Sequence, residues 1–102
     1  MKMFLVSDNT HTYAGLRLAG IEGVVVHEEK EVREAILSVI KDSDVGILLI
    51  TEKLCKLCPA LVSDIKLNYR QPLVVEIPDR HGSGRDEDFI MSYIKDAIGV
   101  KL

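Results

Sequence analysis

Two short stretches of this chain carry side chains that can do chemistry. Cys55-Lys56-Leu57-Cys58-Pro59 is a CxxC, a spacing associated with dithiol redox centres and with zinc. Ser7-Asp8-Asn9-Thr10-His11-Thr12 gathers a carboxylate, hydroxyls and an imidazole directly after an apolar run, where open α/β sheets bind their ligands. Neither develops into a site. A redox pair opens the helix that follows the first core strand, so that the helix N-terminus stabilises the thiolate, whereas this pair lies about one turn into the third crossover. Zinc needs four ligands, and His11, His27 and His81 are scattered, with no second pair spaced to close a site. A metal shared across a homodimer is the one arrangement left. The cysteines therefore read as structural thiols and the histidines as surface residues. The Ser7 to Thr12 cluster reads as helix capping and turn closure, for which Ser, Asp, Asn and Thr are the preferred types.

Phosphate chemistry has less support. No GxGxxG or GxxxxGK[ST] string follows the first strand, and Gly15 alone cannot build such a loop. Gly82-Ser83-Gly84 comes after the last strand and reads as a hinge. A phosphate-accepting regulatory domain of this size needs an aspartate at the end of the third strand. This chain has Thr51-Glu52 there, with no aspartate expected within reach and no fifth strand to supply the accompanying lysine. The expectation is a chain with no active site, cofactor or metal of its own.

Four apolar runs have strand length: residues 3–6, 23–26, 45–50 and 73–77. They are β-branched and nearly continuous, as in strands covered on both faces of a parallel sheet. Helical segments alternate with them, which implies right-handed crossovers. The first, residues 13–19, turns Leu16 and Ala19 inward and ends at Gly20. The second, residues 28–41, has the stripe Val32, Ala35, Ile36, Val39 and Ile40, with acidic residues first and Lys41 last, as the helix dipole favours. The third starts at Thr51, a candidate N-cap, runs to about Lys66 and is split by Pro59. The predicted fold is α/β: a four-stranded parallel sheet flanked by helices, Rossmann-like or receiver-like, followed by a C-terminal amphipathic helix.

That last helix is the surplus element. The chain divides into a sheet domain (1–80), a glycine-bracketed hinge loop (81–84) and a helix (85–102), with Ser83-Gly84-Arg85-Asp86 as a weak capping box. Phe89, Ile90, Tyr93, Ile94, Ala97 and Ile98 make two adjacent apolar stripes on one side, the pattern with which one helix meets another. The same stripe can instead cover the parent sheet.

The totals narrow the partners. With 102 residues the chain is one domain, and 47% apolar residues suit a packed core. A net charge of -3 without a basic face argues against nucleic acid. No apolar run is long enough to span a bilayer, so direct membrane insertion is not expected, and Asp8 cuts off the opening apolar run before it reaches signal-peptide length. A cytosolic location, with reduced thiols, is the default.

The order of the motifs resembles a family. Gly15-Leu16-Arg17-Leu18-Ala19-Gly20-Ile21 is similar to the GFRLAGI signature of the F subunit of rotary V/A-type ATPases, with Leu16 in place of the usual aromatic. Gly46-Ile47-Leu48-Leu49-Ile50-Thr51-Glu52 resembles its third strand and the helix start that follows. Pro72-Leu73-Val74-Val75-Glu76-Ile77-Pro78 resembles the fourth strand, and Ile90, Tyr93, Ile94 and Ala97-Ile98-Gly99 resemble the C-terminal helix. The CxxC is not part of the pattern. The resemblance implies a non-catalytic central-stalk (rotor) component on the cytoplasmic face of the membrane, within the peripheral ATPase sector. It implies binding to the coiled-coil D subunit, rotation of the pair inside the catalytic A/B ring, and coupling of ATP synthesis or hydrolysis to ion transport through the membrane sector. The stripe from Phe89 to Ile98 and the exposed Arg17 are then the expected partner-binding residues, with polar positions near Thr51 as further candidates. The competing class is a free-standing α/β regulatory or ligand-binding module, receiver-like but without the phosphoacceptor.

Overall fold

A strand that is apolar at nearly every position cannot leave either face to water, and the layers of this fold follow from that. The computed structural model describes residues 2–78. The chain runs β1 (Lys2–Ser7), α1 (Thr10–Leu18), β2 (Glu22–Val25), α2 (Glu29–Lys41), β3 (Val45–Thr51), α3 (Glu52–Cys55), α4 (Pro59–Asn68) and β4 (Leu73–Ile77). The strands form one parallel sheet in the order β2-β1-β3-β4. β3 is buried at every residue, and alternation divides its side chains between two cores. Leu48 and Ile50 join Val6 and the apolar faces of α2, α3 and α4 on one side. Ile47 and Leu49 join Leu5, Leu16, Ile21, Val75 and Ile77 on the other. The expected α/β architecture is present. The edge strands depart from two-sided coverage: β2 has no fully buried residue, and β4 buries only Val75 and Ile77. Each has a strand on one side only and lies at the margin of the helical layers.

The first helix begins and ends earlier than its apolar spacing suggests. Asn9 is the N-cap, its side-chain oxygen accepting from the backbone N–H groups of His11 at 2.7 Å and Thr12 at 3.3 Å. Ala19, expected to face inward, is exposed at the C-cap, and the buried positions are Gly15 and Leu16. Gly20 takes φ +87° and its N–H donates to Arg17 O, while Ile21 N–H reaches back to Leu16 O. This pair of bonds is the Schellman motif, and Leu16 and Ile21 share the apolar cluster beneath it. The GLRLAGI string is thus a helix end, with one side chain in the core, a left-handed glycine and a returning isoleucine.

The later helices match their sequence signals. In α2, Val32, Ile36 and Val39 are buried, with Ala35 and Ile40 packed alongside. Glu31 Oε1 accepts from the N–H groups of His27 and Glu28, both at 3.2 Å, and these bonds hold its carboxyl below the usual range. Pro59 does split the third crossover, standing at the first turn of α4 where its missing N–H has no helical partner to lose. Gln71 Nε2 donates to Ser43 O at 2.8 Å and Val45 O at 3.0 Å, tying the loop before β4 to the start of β3. At the sheet's N-terminal edge Lys2 Nζ lies 3.0 Å from Asp42 Oδ2. The Asp44 backbone N–H and then Lys2 depress the Asp42 carboxyl, and the bond to Asp42 raises the Lys2 ammonium. The depressed Asp42 and Glu31 carboxyls add stability above their unfolded pKa values, and that contribution is lost as pH falls through their folded ones. The Lys2 contribution is complete below its unfolded pKa and disappears as pH rises through its raised one.

The hinge loop at 81–84 with His81, the Ser83 capping box, the 85–102 helix and its stripe of Phe89, Ile90, Tyr93, Ile94, Ala97 and Ile98 lie outside the described residues.

The two described glycines with special constraints give contrasting substitutions. A Cβ added at Gly23 would lie 2.6 Å from Leu5 O and 2.8 Å from Leu5 Cβ on the neighbouring strand. At Gly20 it would meet nothing within 4 Å, so that site's constraint is its φ of +87° alone. Gly23→Ala is expected to lose about 1–3 kcal/mol through overpacking and Gly20→Ala about 1–2 kcal/mol through backbone strain, read from urea unfolding midpoints at constant slope. Wild-type stability in Gly23→Ala would overturn the close approach of β2 to β1.

Candidate functional site

In a parallel sheet with order β2-β1-β3-β4, the crevice where connections diverge to opposite faces lies between β1 and β3, at their carboxyl ends. The loop after β1 and the end of β3 meet there. Thr51 is 2% exposed and Ser7 is fully buried, so each hydroxyl must find a partner within the protein. Thr51 Oγ1 donates to Asp8 Oδ1 at 2.7 Å and accepts from the Asp8 backbone N–H at 3.3 Å. Ser7 Oγ donates to Asn9 O and accepts from Asn9 N–H, both at 2.9 Å. These internal bonds engage the two buried hydroxyls, those of Ser7 and Thr51. The capping reading of the cluster holds for Asn9, and Asp8 has a different task, joining one strand end to another.

The structure adds two facts about Thr51. Its backbone is the N-cap of α3, but its side chain makes no capping bond and turns across to Asp8 instead. It is also buried, so Thr51 itself offers no surface to a partner. The expectation that no aspartate reaches this strand end is corrected as well: Asp8 arrives from β1, 43 residues away in sequence. Only strand pairing reveals that neighbour, because Val6 of β1 stands opposite Ile50 of β3. His11 and His27 are exposed, and His11 meets the cluster through its backbone N–H on Asn9 Oδ1. Among the described residues, no group of three or more His, Cys, Asp or Glu side chains is placed to hold a metal.

The CxxC lies at the corner between α3 and α4, with Cys55 ending one helix and Cys58 capping the next. Both thiols are free and buried in the cluster under α2, α3 and α4. They serve different neighbours: Cys58 Sγ donates to Glu29 O at 3.8 Å at the start of α2, while Cys55 faces Glu76 on β4. Burial, followed by the Glu76 carboxylate, pushes the Cys55 thiol up to about 12. Burial also raises Cys58. A thiol so placed holds its proton, the reverse of what a nucleophilic sulfur requires. Cys55 also lines an open cleft of about 410 Å³ beside β4, whose walls carry Glu52, Lys56, Lys66 and Glu76. Those charges are already matched, Lys56 to Glu52 at 3.7 Å and Lys66 to Glu76 at 3.3 Å.

Arg17 is exposed in the last turn of α1, as expected for a surface contact. Beside it stands Leu18, 79% exposed, a residue that sequence reasoning passed over. The signal was available: Leu16 is the core residue, and a position two further along an α-helix points to the opposite side.

The described residues thus define a small parallel α/β domain in which Asp8 and Thr51 join the carboxyl ends of β1 and β3. A family model for the "ATP synthase (F/14-kDa) subunit" matches residues 3–94. Among curated relatives, the F subunit of the A-type ATP synthase of Thermococcus sibiricus is 33% identical over 107 residues, covering 100% of this chain and 98% of its own length. That of Methanocaldococcus jannaschii is 33% identical over 103 residues, covering 100% and 99%. The crystal structure of the V-type ATP synthase F subunit from Archaeoglobus fulgidus superposes with a TM-score of 0.63 at 26% identity, covering 74% of this chain and 95% of that one. The chain belongs to the F-subunit family of V/A-type ATP synthases.

Two outcomes follow from the site. Thr51→Val removes the donor to Asp8 and the acceptor for its N–H, and is expected to cost about 1–3 kcal/mol in urea unfolding, with Thr51→Ser recovering most of it; equal stability of all three proteins would contradict the latch. Burial of Cys55, which also raises its thiol, should slow its reaction with an aromatic disulfide reagent by at least about 10-fold in a native Cys58→Ser protein relative to the same protein in urea. Native labelling at the rate of a free thiol would show that Cys55 is not so buried.

Proposed function

We propose that this chain is a non-catalytic component of the central stalk of a V/A-type ATP synthase or ATPase, that it binds the coiled-coil D subunit, and that the pair turns within the A/B ring on the cytoplasmic face of the membrane. The carrying observation is the full-length correspondence with proteins named as the F subunit of A-type ATP synthases. Thr51 Oγ1 is engaged by Asp8, a structural use of these strand-end groups that is in keeping with the non-catalytic part. No described helix is long and apolar enough to cross a membrane, which agrees with attachment through other subunits.

Two surfaces of the chain meet the partner in this reading. The first is the stripe of Phe89, Ile90, Tyr93, Ile94, Ala97 and Ile98, whose burial contributes about 1.5–3 kcal/mol for each large apolar side chain fully covered. The second is the exposed end of α1, where Arg17 stands beside Leu18. The alternative use of the stripe in this reading is to fold back on the parent sheet. On the second sheet face α1 packs mainly on β1 and β2, and the apolar cluster continues across to Val75 and Ile77 of β4. Docking on the coiled coil and folding back on the sheet bury the same side chains. Differential contacts in the two positions set the balance between them.

Co-expression with the D subunit from the same source should give a stable one-to-one complex by size-exclusion chromatography. Ile90→Asp combined with Ile94→Asp should weaken it at least 100-fold, and Arg17→Glu about 3- to 10-fold. Persistent failure of the wild-type chain to associate would count against the rotor role. Truncation after Gly84 separates the stripe's two uses: a cooperatively folded remainder that no longer binds the coiled-coil partner places the stripe in the interface, whereas an unfolded remainder places it in the core.

A further inference from the structure

We draw no further inference here: the strongest candidate, the open cleft between α4 and the outer edge of β4 with Cys55 at its floor, has its charged walls already paired as Glu52 with Lys56 and Glu76 with Lys66, and nothing in the structure shows what covers it.

Discussion

Everything in this domain depends on covering β3. Seven successive residues with no side chain left in water require an apolar layer above and below the sheet. Parallel connections provide those layers, because each crossover deposits a helix on one face. The passage from β1 to β2 places α1 on one side, and those from β2 to β3 and from β3 to β4 place α2, α3 and α4 on the other. Once these layers close, the strand ends have little freedom. Ser7 and Thr51 are carried inward with their strands, and each must be satisfied by whatever polar group lies nearest. The bond between Asp8 and Thr51 is therefore a consequence of the core as much as of the loops.

Most of this architecture is legible along the chain because its signals are local and periodic. The stripe from Val32 to Ile40, the four β-branched runs and the break at Pro59 each concern residues within a few positions of one another, and each appears in the structure. The misreadings come from pairings that periodicity does not encode. Ala19 has the spacing of a core residue, but Gly20 ends the helix first and turns it outward. Thr51 has the type and position of a helix cap, yet a carboxylate from β1 competes successfully for its hydroxyl. Leu18 escapes notice because apolar residues are counted toward a core, and its helical phase opposes that of Leu16.

The candidate chemistry resolves in the same manner. A CxxC and a cluster of Ser, Asp, Asn, Thr and His both suggest reactivity when seen as strings. Three dimensions assign them to structure: Asn9 caps a helix, Asp8 joins two strand ends, and the two sulfurs fill a corner between helices while facing different neighbours. Leu18, next to Arg17, stays exposed and apolar outside both cores. That division agrees with membership of a family whose members are named as subunits of a larger assembly.

The parallel ladder between β3 and β4 also has a mechanical meaning. β4 is paired from Leu73 opposite Ile47 to Ile77 opposite Thr51, and the chain continues into residues 79–102 from the carboxyl end of this edge strand. A pull along the strand axis through that continuation loads the ladder in shear, so its bonds share the force instead of opening one after another. Lys66 of α4 lies 3.3 Å from Glu76 near the point of exit, a half-exposed pair that adds little resistance of its own. The last strand is consequently stiff against tension from the C-terminal segment and compliant against peeling away from the sheet.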